Sequence, residues 1–275
     1  MRGAVARHGI VRTLSFVWIA LVILAAIFAS LLPIPKPDAL DPFRRLLLPG
    51  SAGHLLGTDD LGRDILSRLI YGARVSLIVG AASFVCGLIA GGAIGIVAGY
   101  AKGKVERVLM WAMDVILSFP ALVLLIGLVA YVGRSLFDIS AVLGFLAIPI
   151  YARIARAQTL SFTERDFVLA ARASGSRPRD ILLYELLPNV WPPMVAYGLV
   201  AVGLTIVVEG SLSFLGLSVS APTPSWGGMI AGGENYLRND PGLVLIPSAV
   251  MCLTVLAFNI AGEALGAKTS KVGRA

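Results

Sequence analysis

The stretch VSLIVGAASFVCGLIAGGAIGIVAGYA (Val75–Ala101) runs for 27 residues without a charged side chain. An α-helix needs about 20 mostly apolar residues to cross the hydrocarbon core of a bilayer, so this run is a membrane span. Gly87, Gly91, Gly95 and Gly99 recur along it at four-residue steps, which lays a groove without side chains on one helix face. Such a face packs closely on another helix, within the chain or on a partner. Cys86 lies in this run and Cys252 in another, so both read as small apolar-core residues with no redox or metal role.

Reading outward from it, charge-poor runs predict five further spans. Thr13–Pro35, Leu186–Val208 and Pro241–Gly262 hold 23, 23 and 22 uncharged residues. Val108–Gly133 holds 26 residues with one acid, Asp114, and Ile139–Ala152 holds 14, bounded by Asp138 and Arg153 at headgroup level. Arg153 and Arg156 are expected to snorkel there. Arg2, Arg7 and Arg12 precede the first run, but no small-residue cleavage site stands before Pro33, so an uncleaved anchor is expected.

The whole composition agrees. Of 275 residues 57% are apolar and 14% charged, and mean hydropathy is +0.85. That excludes a soluble enzyme and a disordered chain. A net charge of +7 is explained by basic residues flanking spans rather than by nucleic acid. Six spans put both termini on one side, and the connections on that side carry 15 Lys/Arg against 8 on the other. The terminal side is therefore cytoplasmic. The expected organisation is residues 1–35 as N-terminus and first span, 36–74 as an extracytoplasmic segment, 75–265 as a five-helix core with a cytoplasmic hairpin at 158–190, and 266–275 as a cytoplasmic tail.

The hairpin is the most informative connection. Ser161 followed by Glu164 fits a capping box, Gly175 is a left-handed stop, and Pro178 suits the first turn of a second short helix ending before Pro188. Ala170, Ala171 and Ala173 near the bend permit close approach by another protein, with Phe167 and Ile181 as apolar anchors. An ordinary loop with helix-favouring alanines is the plainer reading of the same residues.

The run Asp166-Phe167-Val168-Leu169-Ala170-Ala171-Arg172-Ala173-Ser174-Gly175, followed by Ile181 and Leu187-Pro188-Asn189, resembles the EAA loop of ABC-importer permeases. Leu56–Asp64, Ser67–Leu77, Glu209–Leu217 and Pro224–Gly227 are similar to segments of the dipeptide/oligopeptide/nickel permease family, C-type subunit. The EAA glutamate is absent: Leu169 precedes Ala170-Ala171, and Asp166 is the nearby acid. The resemblance implies an all-α type I importer permease in the bacterial inner membrane. It pairs with a homologous permease, is driven by one or two ABC ATPases that bind ATP and Mg2+, and is fed by an extracytoplasmic substrate-binding protein. The coupling residues it implies are Asp166, Phe167, Ala170, Ala171, Ala173, Ser174, Gly175, Ile181 and Pro188. Its cargo is then di- or oligopeptides, with nickel, a metal chelate or haem as alternatives.

The chain itself holds no phosphate-binding loop: Gly99–Val105 has the wrong spacing, and Gly266-Ala267-Lys268-Thr269 follows a span rather than a strand. Neither His8 nor His54 sits near a second metal ligand, so no enzyme activity, cofactor or metal is expected in this chain. Asp114, Glu209 and Glu263 are acids in or beside spans, open to a structural or a pathway role; a proton-coupled secondary transporter would use Asp114 or Glu209 as carrier. Pro120 is expected to bend the third span, as a static kink or a gate. Asp59, Asp60, Arg63 and Asp64 lack calcium-loop spacing and are expected, with Trp226, to seat the binding protein; Trp226 also suits an interfacial anchor.

Overall fold

The computed structural model describes the backbone of residues 2–272 and the side chains of residues 9–267. Arg2, Arg7, Lys268, Lys271 and Arg274, used in the charge reading, and His8, weighed as a metal ligand, have side chains outside that range. Among the described residues the regular structure is all helical, with only isolated bridges at Ser51–His54 and Thr58–Asp64.

Helix α1 (Arg2–Phe28) leads into an irregular segment, and α2 (Ile65–Cys86) continues through a π-helical turn (Gly87–Gly91) into α3 (Gly92–Ala101). The second span is thus 37 residues long and starts ten residues before Val75. Arg68 and Arg74, counted above as outer-segment charges, are side chains of α2. Arg68 donates to Pro37 O at 3.1 Å, and Arg74 donates to Ala26 O and Ile27 O, stapling α2 to the end of α1.

The glycine stripe packs within the chain. It faces α6 (Leu136–Thr163): a Cβ at Gly91 would stand 2.6 Å from Ile148 O, one at Gly99 2.8 Å from Thr159 Cβ, and one at Gly87 inside the Tyr151 ring. Only residues without side chains let the two backbones come this close.

The third span is broken rather than bent. Helices α4 (Gly103–Leu117) and α5 (Ala121–Val132) meet at 84° across Ser118-Phe119-Pro120. Proline has no N–H for the helix ladder, and Pro120 in extended ψ starts α5 afresh. The fourth span is no 14-residue fragment. Ser135 and Asp138 form a capping box that starts α6, which runs 28 residues and carries Arg153 and Arg156 inside it.

Helix α7 (Asp166–Ala173) follows, then a single turn α8 (Pro178–Asp180), a π-helical stretch (Ile181–Leu186) and α9 (Leu187–Phe214). The second arm of the hairpin does not stop before Pro188. Pro188 sits where the π-helical stretch passes into α9, and Pro178–Phe214 forms one 37-residue span. Helices α10 (Trp226–Gly233) and α11 (Gly242–Val272) complete the chain. Helix α9 packs on α11 and α2, and α6 on α2 and α3, with α1 laid against α11.

Candidate coupling and translocation site

Helix α7 is held to the membrane core by its inner face. Val168 is fully buried among Ile181, Leu186, Leu88 and Ile96. The Arg172 guanidinium lies 5.0 Å from the centre of the Tyr100 ring at the end of α3, and Lys102 Nζ approaches Glu164 at 3.7 Å. Its outer face is open: Phe167, Leu169, Ala170, Ala173, Ser174 and Gly175 are exposed, as are Asp166 and Pro188. Ala171 is half-buried. Ile181 is 1% exposed and anchors the hairpin internally, so it is not a docking contact. The expected Ser161/Glu164 cap does not form: α6 is still helical at Ser161, whose hydroxyl donates to Gln158 O. Arg165 stands at the N-cap of α7 without a side-chain cap bond. Gly175 has φ +77°, and nothing lies within 4 Å of a Cβ placed there, so backbone conformation rather than space requires the glycine.

A second arrangement lies between α4 and α6. Asp114 Oδ1 accepts from Arg153 at 2.6 Å, and Glu106 Oε1 accepts from Arg156 Nε at 2.6 Å. With Arg107, Met110 and Trp111 these residues line an open cleft of about 780 Å³. Arg153 is ten residues short of the C-terminal end of α6, a rise of about 15 Å. The Asp114 and Arg153 side chains are more than half exposed. A charge facing lipid at depth costs at least about 2.5–3.5 kcal/mol by insertion scales. This face is therefore suited to water or a partner and unsuited to lipid. Arg153 and Arg156 take their partners from another helix, Asp114 and Glu106 of α4.

Towards the outer end, Glu209 is 1% exposed and anchors a hydroxyl network. Its carboxylate accepts from Ser76 at 3.2 Å, Ser213 at 3.0 Å and Ser218 at 2.6 Å, and Ser213 meets Ser225, the N-cap of α10. Glu209 thereby ties α2, α9 and the α9–α10 connection, without opening onto the cleft. Glu263 is exposed at the far end of α11.

In the outer segment, Asp59 accepts from Arg63 Nε at 2.7 Å and from two loop amides at 2.9 Å. Asp64 is 4% exposed, caps α2 by accepting from Ser67 N, and meets His54 Nδ1 at 2.8 Å. Asp64 is thus a structural residue and not a docking contact. Trp226 is fully buried and donates to Leu69 O at 3.0 Å, so it is neither a docking contact nor an interfacial anchor. Asp60 remains partly exposed on this surface. No group of three metal-ligating side chains occurs among the described residues.

Residues 91–271 match the family described as binding-protein-dependent transport system inner membrane component. The chain belongs to that family. It is 37% identical over 243 residues to the dipeptide transport system permease protein DppC of Alkalihalophilus pseudofirmus, covering 88% of this chain and 80% of the relative. It is 36% identical to the di/tripeptide transport system permease protein DppC of Pseudomonas aeruginosa, covering 89% and 82%. The glutathione transport system permease protein GsiD of Pectobacterium atrosepticum is 34% identical, with 90% and 82% covered. A permease chain of the MetNI methionine ABC transporter superposes with a TM-score of 0.62 at 17% identity, over 74% of this chain and 96% of that one. The fold is that of a type I ABC importer permease, a multi-pass inner-membrane transport subunit.

Within this permease, sequence reading missed Glu106, Trp111 and both ion pairs. The signal was present: Glu106 and Asp114 recur at i, i+8 on one helix and Arg153 and Arg156 at i, i+3 on another, equal and opposite charge in two membrane helices. It also missed Leu183 and Tyr184, exposed beside the hairpin.

Proposed function

We propose that this chain is one permease half of an ATP-driven importer of di- or oligopeptides, with both termini in the cytoplasm. The single observation that carries the cargo is the set of relatives at 34–37% identity, matched over four-fifths of their length, whose names specify dipeptide, di/tripeptide and glutathione transport. A homologous permease covers the charged α4–α6 face, and an extracytoplasmic binding protein delivers peptide to the outer surface around Asp60. One or two ATPases grip the open face of α7 and supply the ATP and Mg2+ chemistry. The permease contributes no covalent step.

The mechanism follows from how α7 is mounted. Its outer face is small and apolar, fitted to a cleft in an ATPase, while Val168 and Arg172 fasten its inner face to the bundle. Displacement of α7 by ATP-driven closure must therefore move α3, α6 and the helical run that begins at Pro178. The bundle exchanges inward- and outward-open packings as rigid pieces. Uptake of a labelled dipeptide, with labelled nickel in parallel, in cells with and without the gene tests the cargo. Loss of the peptide signal alone is expected; loss of nickel alone refutes the peptide assignment.

A further inference from the structure

The α4–α6 cleft, at the face where a homologous permease is proposed to pack, carries two ion pairs of the same make-up. Each pair offers one carboxylate and one guanidinium to the same open space: Asp114 with Arg153, and Glu106 with Arg156. Resting against each other, the charges of the two pairs are mutually satisfied, and Arg107 adds one further cation to the wall. A cargo bearing one charge would open a pair and strand one partner. A cargo bearing an ammonium and a carboxylate replaces both partners at once.

We propose that this cleft is a transit site for zwitterionic peptides, with Arg153 or Arg156 taking the terminal carboxylate and Asp114 or Glu106 the terminal ammonium; the proposal rests on the peptide reading above. The dimensions suit it. The two pairs are set apart by a rise of about 12 Å along α4 between Glu106 and Asp114 and about 4.5 Å along α6 between Arg153 and Arg156, and an extended peptide of two to four residues, about 7–14 Å at about 3.5 Å per residue, matches a span from the acid of one pair to the arginine of the other. Met110 and Trp111 lie between them on the same wall, an adaptable thioether and a flat aromatic face that accept varied side chains. Recognition thus falls on what all short peptides share, the termini, and not on their side chains. Because each internal pair re-forms when the peptide leaves, the cost of opening it offsets most of the attraction between peptide and cleft, and binding stays weak enough for release.

The test uses the complete importer with its binding protein in proteoliposomes and a dipeptide carrying a diazirine leucine, irradiated during ATP turnover. Cross-links are expected at Met110 or Trp111, competed by excess unlabelled dipeptide and about tenfold less well by the N-acetylated, C-amidated peptide, which has lost its charge-assisted contacts. In the charge-neutralised E106Q/D114N/R153Q/R156Q variant, which removes both pairs, the cross-link is expected to fall about tenfold while the complex still assembles. Equal competition by the blocked peptide in the wild-type complex overturns the proposal and needs no variant; an undiminished cross-link in an assembled E106Q/D114N/R153Q/R156Q complex overturns it too. ATP-dependent dipeptide accumulation without any α4 cross-link overturns the site alone. Absence of all ATP-dependent peptide accumulation by the wild-type importer overturns the peptide reading together with it.

Discussion

Gly95→Ala tests whether the glycine stripe sets the spacing of α3 on α6. A Cβ at Gly95 would lie 2.6 Å from Ala155 Cβ and 2.8 Å from Arg156 N, and against Ala152 O. Carbon atoms pack best at about 3.5–4.0 Å, so one methyl demands a separation of about 1 Å between two helices fixed along their length. Overpacking of this kind costs about 1–3 kcal/mol, and the helix propensity that Ala gains over Gly returns about 0.8–1.0 kcal/mol, so at about 2–4 °C per kcal/mol the melting temperature falls by about 3 °C. Gly127 in α5 is the internal control, because nothing lies within 4 Å of a Cβ there. Gly127→Ala gains helix propensity of about 0.8–1.0 kcal/mol and is expected to raise the midpoint by about 2 °C. Thermal unfolding of the purified complex, followed by size exclusion after heating, measures both. A Gly95→Ala midpoint equal to wild type, or a Gly127→Ala loss as large as that of Gly95→Ala, would refute the packing argument.

Three other outcomes are expected. Gly175→Trp inserts normally, since the site is open space, but loses ATPase stimulation by the loaded binding protein, whereas Gly175→Asn, which tolerates positive φ, keeps most of it; full uptake by the Trp variant contradicts the docking role. Ser174→Cys, exposed on the outer face of α7, is expected to form a disulfide with an engineered cysteine on the ATPase and to resist membrane-impermeant labelling from the extracytoplasmic side; labelling from that side reverses the topology. Glu209→Leu strands three serine hydroxyls and is expected to destabilise by about 2 kcal/mol, with Glu209→Gln nearer wild type because an amide still accepts; equal melting midpoints for the Leu variant and wild type argue against the network.

How far the sequence could be read depended on whether the deciding partner was near in the chain. Val75–Ala101 announces a helix by itself, and Gly175 announces a left-handed stop, because both properties are local. The fourth span was underestimated for the opposite reason: Arg153 and Arg156 read as span ends until Asp114 and Glu106, some 40 to 50 residues away, are seen to neutralise them. Ser161-x-x-Glu164 and Ser135-x-x-Asp138 carry the same capping pattern, and only the second caps a helix, because α6 still runs through Ser161. Asp64, Trp226 and Ile181 lie in segments outside the longest apolar runs, which suggested exposure. Each is buried because its segment folds back on the bundle, a tertiary fact that spacing does not encode.

The unbroken run from Pro178 to Phe214 gives the hairpin mechanical leverage. At 1.5 Å per residue its 37 residues make a rod of about 55 Å. Pivoted near its middle, such a rod converts a tilt of about 10° into a swing of about 5 Å at each end, in opposite directions. One end adjoins α7 and its exposed outer face; the other carries Glu209 and the serines that clasp α2 and α10. A stroke at the α7 end is thus matched by an opposite stroke at the Glu209 end, reduced only by what the π-helical stretch and Pro188, Pro192 and Pro193 allow the rod to flex.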